Sequence, residues 1–303
     1  MAVGAAPRVV VAGSTNMDLV ATAPALPAPG ETVLGHGFSM VPGGKGANQA
    51  IAATRLGAGC RLLGAIGSDS FGVTLRGRLD AAGVDTSLVR VVYGASGVAL
   101  VSVDADGQNA IVVTPGANAA FTRLTPPELT AISEADVLLC QLEIPVETVT
   151  AAAAAARDAG TAVVLNAAPA LPELPRALTG LVDVFVVNEL EAATLTGTRD
   201  PAALLDLAPV AVLTLGSAGA WYAEAGRPAV HVPAPTVVAV DSTGAGDAFT
   251  GALAVARAEG RPLAEAVRWA SAAGACCARR LGATPSLPGR AEVDELYTAT
   301  YAS

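Results

Sequence analysis

Six short, almost wholly apolar runs recur along the chain, each followed by turn-forming or polar residues: 8–12, 61–66, 136–140, 161–165, 183–187 and 210–215. A strand with one wet face alternates apolar and polar residues, whereas a near-continuous apolar run suits a strand buried on both faces. Between these runs lie alanine-rich stretches of helical length at 47–56, 71–82, 146–159 and 189–195, and two longer ones follow at 248–259 and 263–280. Strand–helix alternation of this kind predicts βαβ units: an α/β three-layer sandwich with a mainly parallel central sheet and helices on both faces. A length of 303 residues is compatible with one such domain, and a hydrophobic fraction of 52% supplies a large core and excludes disorder as the dominant state.

Two regions interrupt the rhythm. Residues 19–42 are rich in proline and glycine and carry no helical pattern, and 91–113 read as a hairpin turning at Asp106-Gly107. We expect them to form a small β-sheet lid outside the main sheet, built from two insertions at about 16–42 and 91–115 of a single domain spanning 1–303.

Charge and cysteine usage remove several function classes. With 18 basic residues against 27 acidic ones and a net charge of −9, a nucleic-acid partner is not expected. The longest uncharged stretch, 207–223, is broken by Pro209, Gly216, Ser217 and Gly219, so no membrane span is expected. The stretch 1–7 has neither a charged leader nor an apolar core of secretory length, which predicts a cytoplasmic protein. Cys60, Cys140, Cys276 and Cys277 show no C-x-x-C spacing and read as small buried thiols.

Chemistry concentrates at a few sites. Residues 237–249 read as a strand feeding a glycine turn, Gly244-Ala245-Gly246, that opens a helix. Free amides and the helix dipole there make an anion site suited to a phosphoryl group. Asp247 sits at its mouth, where a carboxylate is electrostatically odd unless it takes a proton from an attacking hydroxyl. Alone it would read as an N-cap; with Asp241 and the Gly-x-Gly between them, the catalytic reading leads. Lys45 is the only lysine among the 18 basic residues, and it lies beside scarce Asn48 in Gly43-Gly44-Lys45-Gly46-Ala47-Asn48. A compact ammonium is not interchangeable with arginine. Neither a Walker A loop nor a dinucleotide fingerprint is present: Ser39 and Gly46 spoil the first, and Gly13-Ser14-Thr15-Asn16-Met17-Asp18 does not match the second. Polar residues do end five apolar runs, at Asn16 and Asp18, Gln141 to Glu143, Asn166, Asn188 to Glu191, and Thr214 to Gly219. Open α/β sheets bind ligands along that edge.

These segments resemble the ribokinase-like sugar kinases of the PfkB type, from about Arg8 to the last helix. The resemblance rests on Gly43 to Ala50 and Asp241 to Asp247, with Pro29-Gly30-Glu31, Gly116-Ala117-Asn118 and Pro285-Ser286. It implies an ATP-dependent kinase converting D-ribose to D-ribose 5-phosphate, with 2-deoxyribose, fructose or a nucleoside as other acceptors and a non-catalytic sugar-binding protein as the alternative class. Asn16, Met17, Asp18, Gly44, Lys45, Gly46, Ala47, Asn48 and Glu143 would bind the sugar. Asp247 would be the base, and Gly244, Ala245 and Gly246 the anion hole. Asn188, Thr214, Leu215, Gly216, Ser217, Ala218, Gly219, Gly246, Asp247 and Ser271 would meet ATP, with Glu191 linked to magnesium. Asp241, Thr243 and Ser286, with carbonyls near Cys277, Arg280 and Gly282, match a potassium site. The resemblance further implies a homodimer formed through the lid.

Overall fold

The computed structural model describes residues 6–301, so Met1–Ala5 of the stretch read as lacking a leader, and residues 302–303, lie outside the described residues. Thirteen strands are described: β1 (Arg8–Ala12), β2 (Asn16–Thr22), β3 (Gly37–Gly43), β4 (Gly59–Gly67), β5 (Val89–Val92), β6 (Gly97–Val103), β7 (Asn109–Thr114), β8 (Val137–Cys140), β9 (Ala162–Asn166), β10 (Val184–Asn188), β11 (Val210–Thr214), β12 (Ala220–Glu224) and β13 (Val230–Val232). The helices are α1 (Lys45–Arg55), α2 (Ser70–Ala81), α3 (Pro126–Ser133), α4 (Val146–Ala159), α5 (Arg176–Thr179), α6 (Glu189–Thr196), α7 (Ala245–Ala258), α8 (Leu263–Ala278), α9 (Ala283–Ser286) and α10 (Arg290–Tyr301).

Nine strands form one sheet in the order β13-β12-β11-β10-β9-β8-β1-β4-β5, parallel from β11 through β5 and antiparallel at β12 and β13. Successive side chains of a strand point to opposite faces, and the apolar runs divide accordingly. Val9, Val11, Leu139 and Val186 pack with α1, α7 and α8, whereas Val10, Ala12, Leu138 and Val187 pack with α4 on the other face. The expected three layers follow directly from that double-sided burial. Among the described residues, no helix is long and apolar enough to cross a membrane.

A second sheet, β3-β2-β6-β7, is built from the two regions that break the alternation. Its β2–β6 pair is parallel and the other two pairs are antiparallel. Asp104 closes the β6–β7 hairpin by accepting the amides of Asp106 and Gln108.

Two expectations are corrected. Val91 and Val92 belong to β5, the edge of the large sheet, because Ile66 and Gly67 of β4 offer them a parallel partner. Residues 237–240 form no strand. They pair with neither sheet, and Val238 and Val240 lie 86% and 59% exposed. They are tethered instead at Val240 and Asp241, whose amides donate to the Ala278 carbonyl at 2.8 and 3.2 Å. The run read as a strand at 210–215 is β11, and a tight turn at Gly216–Gly219 joins it to β12, a strand that the sequence reading did not include. Helix boundaries also move: α1 begins at Lys45, α7 at Ala245, and α8 stops at Ala278.

One close helix approach concerns the site. A Cβ on Gly251 of α7 would stand 2.7 Å from the Ala52 Cβ and 3.0 Å from the Gln49 carbonyl oxygen of α1. Gly251→Val should therefore push α7 from α1 at a cost of about 1–3 kcal/mol, the usual range for overpacking. The check is a lower urea midpoint with an unchanged m-value.

Candidate active site

The strand ends named from sequence converge at the carboxyl edge of the parallel strands, where β1 runs into β2 and where β8 to β11 stop. Glu143, just beyond β8, is the first organiser. Its Oε2 accepts from the Ser14 hydroxyl, the Lys45 amide at 3.1 Å and the Asn16 amide nitrogen at 3.4 Å. Asn118 is the second. Its side chain pairs with both main-chain groups of Thr15 and donates to Asn16 Oδ1 at 2.8 Å, which fixes the Asn16 amide. Gly44 holds φ +92° where the chain enters α1, and a Cβ there would meet the Asn16 amide nitrogen at 2.7 Å. No other residue turns there without strain.

Helix α7 starts on Gly244, in the left-handed region. The Ala245 amide is not free, contrary to expectation: it donates to the Ser242 carbonyl at 3.1 Å because the tight turn folds that carbonyl beneath it. The Gly246 and Asp247 amides have no acceptor among the described residues. Beneath them the Asp247 carboxylate accepts from Asn48 Nδ2 at 3.0 Å on one oxygen and from Gln49 Nε2 at 2.9 Å on the other. Asn48 is steadied in turn by the Thr284 hydroxyl, which donates to its Oδ1 at 3.2 Å.

A cavity of about 160 Å³ links the two halves, with Lys45, Asn166, Gly244, Gly246 and Asp247 on its wall together with Asn188, Glu191 and Thr214. Its electrostatics are lopsided. Among the described residues Lys45 is the cation that faces the carboxylates of Asp18, Glu143, Glu191 and Asp247. Burial works against the Lys45 ammonium, but those four carboxylates outweigh it and raise its pKa. Burial raises the Asp247 carboxyl; Lys45, Gln49 and Asn48 only partly offset that. Asp18 is raised from 3.8 to about 7 by burial and by the charges of Glu143 and Asp247, with Lys45 opposing. Glu191 is raised chiefly by burial, although it accepts the Asn188 amide in a reciprocal capping box.

Most of the remaining site residues also cluster. Asp241 Oδ1 accepts from Thr243, amide and hydroxyl, and Oδ2 from the Gly282 amide at 2.8 Å. Burial alone would raise its carboxyl, but these bonds together bring it below the usual value. Ser286 Oγ lies 2.9 Å from Cys277 Sγ in the same cluster, and the Arg280 amide donates to the Cys277 carbonyl. Three groups stand apart. Ser271 is buried inside α8 with its hydroxyl on the Val267 carbonyl. Met17 and Ala47 are buried in the core. Leu215 to Gly219 form the turn after β11, and only Thr214 of that segment lines the cavity.

The chain matches the pfkB family carbohydrate kinase model over residues 6–290. It is 40% identical to a ribokinase of Bacillus subtilis over 297 residues, covering 96% of this chain and 99% of that one. Its fold superposes on the structure of Arabidopsis thaliana ribokinase complexed with ribose and ATP at a TM-score of 0.90 and 33% identity, covering 96% and 99% of the two chains. It also superposes on the Thermotoga maritima ribokinase at a TM-score of 0.87 and 35% identity, covering 96% of this chain and 99% of that one. The chain belongs to the PfkB family of carbohydrate kinases.

Kinases of this family handle a highly charged phosphoryl group, and this cavity fits a divalent cation. Its donors are hard oxygens, its carboxylates outnumber its cations, and magnesium binds through one or two carboxylates plus phosphate and water. Glu191 and Asp247 are the carboxylates on its wall that could hold one. The Asp241 cluster offers hydroxyl, carboxylate and carbonyl oxygens, which suit a large monovalent cation. Among the described residues, no group of three or more His, Cys, Asp or Glu side chains is placed to hold a metal ion.

Sequence reasoning missed Gln49, Ser14 and Thr284. Gln49 and Thr284 carried a signal only through their neighbours, Asn48 and Ser286; Ser14 lay within the first strand-end motif without being singled out.

Asp18 is held protonated below about 7 in the folded protein and below 3.8 in the unfolded chain. Its ionisation therefore withdraws stability as the pH rises through that window. Asp18→Asn should gain on the parent in melting temperature as the pH rises from about 4 to about 7 and keep a constant lead above that, read by thermal melts across the range.

Proposed function

We propose that this protein is an ATP-dependent kinase that phosphorylates D-ribose to D-ribose 5-phosphate. The observation that carries this reading is the buried Asp247 carboxylate beside the unengaged Gly246 and Asp247 amides, in a polar cavity that it shares with Lys45, Asn166, Asn188 and Glu191. The relatives called ribokinase align over nearly the whole chain and support the choice of sugar.

In this mechanism Asn16 and Asp18 accept and donate to the sugar hydroxyls, and Asp247 takes the proton of the attacking hydroxyl as it moves onto the γ-phosphoryl. The raised Asp247 pKa brings its basicity toward the working pH, where a general base is most effective. Developing charge is met by Lys45 and by the α7 amides. Magnesium, held through Glu191, would neutralise phosphate charge. Asn188 and the β11 end would hold the nucleotide, and potassium at the Asp241 cluster would brace the start of α7. A non-catalytic sugar binder would have no use for a base and anion turn kept together. We place the enzyme in the cytoplasm, consistent with four free, buried cysteines.

The two insertions make the lid of this reading, and a second copy covers it. Met40, Leu19, Leu100 and Val112 are cross-strand neighbours in the small sheet. Met40, Leu100 and Val112 are exposed, together with Phe38. Such an apolar surface marks an interaction site. Leu100→Glu should convert a dimer to a monomer, read by sedimentation.

ATP-to-ADP turnover with D-ribose, magnesium and potassium tests the activity. Asp247→Asn should lower kcat by about 10²–10⁴-fold, the range for loss of a general base, with sugar binding kept. No turnover of ribose by a folded protein that phosphorylates 2-deoxyribose, fructose or a nucleoside would overturn the choice of sugar.

A further inference from the structure

We propose that Gln49 is a positioning residue for Asp247, and that Gln141 steadies it by meeting the Gln49 amide oxygen. The proposal rests on the reading of Asp247 as the base.

Gln49 is fully buried on the first turns of α1. Its Nε2 carries two hydrogens and spends them on two acceptors, Asp247 Oδ1 at 2.9 Å and Asn166 Oδ1 at 3.0 Å. Its Oε1 accepts from Gln141 Nε2 at 2.6 Å. A side-chain amide can be turned end for end with little change in shape. Here the turned form would set Oε1 against the Asp247 carboxylate and the Asn166 carbonyl, and Nε2 against Gln141 Nε2. The Asp247 carboxylate, which can only accept, and Asn166 Oδ1, fixed because its Nδ2 donates to the Val186 carbonyl at 3.2 Å, select the donating form, and Gln141 meets the oxygen that this leaves.

Gln141 is itself held at a cost. It is fully buried, and among the described residues its Oε1 is the one buried side-chain nitrogen or oxygen without a hydrogen-bond partner. Leaving such a group unmet is unfavourable by about 1–3 kcal/mol. The room it occupies exists because Gly13 has no Cβ: one built there would collide with Gln141 Oε1. A residue serving packing alone would be better replaced by an apolar one of the same size. Bonds made to the charged form of a carboxylate favour that form, and Gln49 is among the groups that lower the Asp247 carboxyl against its burial. The other charged or titratable groups facing Asp247 are Lys45 of α1, Asp18 of β2, Glu143 after β8, Glu191 of α6 and Cys277 of α8. With Asn48 on the second oxygen, Gln49 leaves the carboxylate one orientation toward the cavity.

The test is the pH profile of kcat, at saturating ribose and ATP, for Gln49→Met, Gln141→Met, the double variant and Asp247→Asn. Gln49→Met should lower kcat by about 10- to 100-fold, as expected for a misplaced catalytic group. It should also move the acid limb upward by about one pH unit, with the sugar KM near that of the parent. Gln141→Met should shift the limb the same way but less, and add nothing in the Gln49→Met background. An unmoved acid limb, or losses that multiply in the double variant, would overturn the proposal. If Gln49→Met does not fold, the limb of Gln141→Met decides by the same criterion. Near-parental turnover by Asp247→Asn would instead remove the base reading, and this proposal with it.

Discussion

A carboxylate buried at the start of a helix is the constraint around which this molecule is arranged. Asp247 sits out of water, where an ionised group is strongly disfavoured unless it is paired and hydrogen-bonded. Its partners cannot come from its own helix. They come from α1, which supplies the Asn48 and Gln49 amides and the Lys45 ammonium within five residues. That requirement forces α1 and α7 together, and Gly251 against Ala52 is where the sequence accommodates the approach. The two helices share one face of the sheet, and the strand ends that supply Asn166 and Gln141 complete the enclosure from below.

The same enclosure explains why one lysine survives in a chain that otherwise uses arginine. Lys45 begins α1 at a point surrounded by four carboxylates, and its main-chain amide already serves Glu143. A point charge on a flexible stem can neutralise several neighbours at once, whereas a planar guanidinium demands a fork-shaped partner and more room. Gly43, Gly44 and Gly46 remove Cβ atoms that would strike Asp18, Asn16 and the β1 end respectively. The glycine-rich segment is thus a device for bringing helix and strand ends into contact around a charged pocket.

Local pattern carried much of this. The double-sided apolar runs gave away the parallel strands because burial on both faces is a property of each run by itself. Asn16, Asp18, Glu143, Asn188 and Thr214 were visible because each follows such a run. The failures have one origin. Residues 237–240 have strand-like composition, but they pair with neither sheet and are tied to the end of α8 instead. Ser271 sits in an alanine-rich helix whose hydroxyl is used up on its own backbone. β12 and β13 were not read as strands; each exists by pairing antiparallel with its neighbour, β12 with β11 and β13 with β12.

The sequence by itself determined the layer architecture, the edge of the sheet that carries the polar residues, and the pairing of a glycine turn with an aspartate. These are matters of periodicity and short-range spacing. Only the tertiary structure decided that Gln49 faces Asp247, that Gln141 lies over Gly13, and that the Ala245 amide is already engaged. Asn48 and Asp247 are 199 residues apart in the chain. A hydrogen bond between them exists because two helices pack on one sheet face at a separation set by their smallest side chains, and no local pattern encodes that distance.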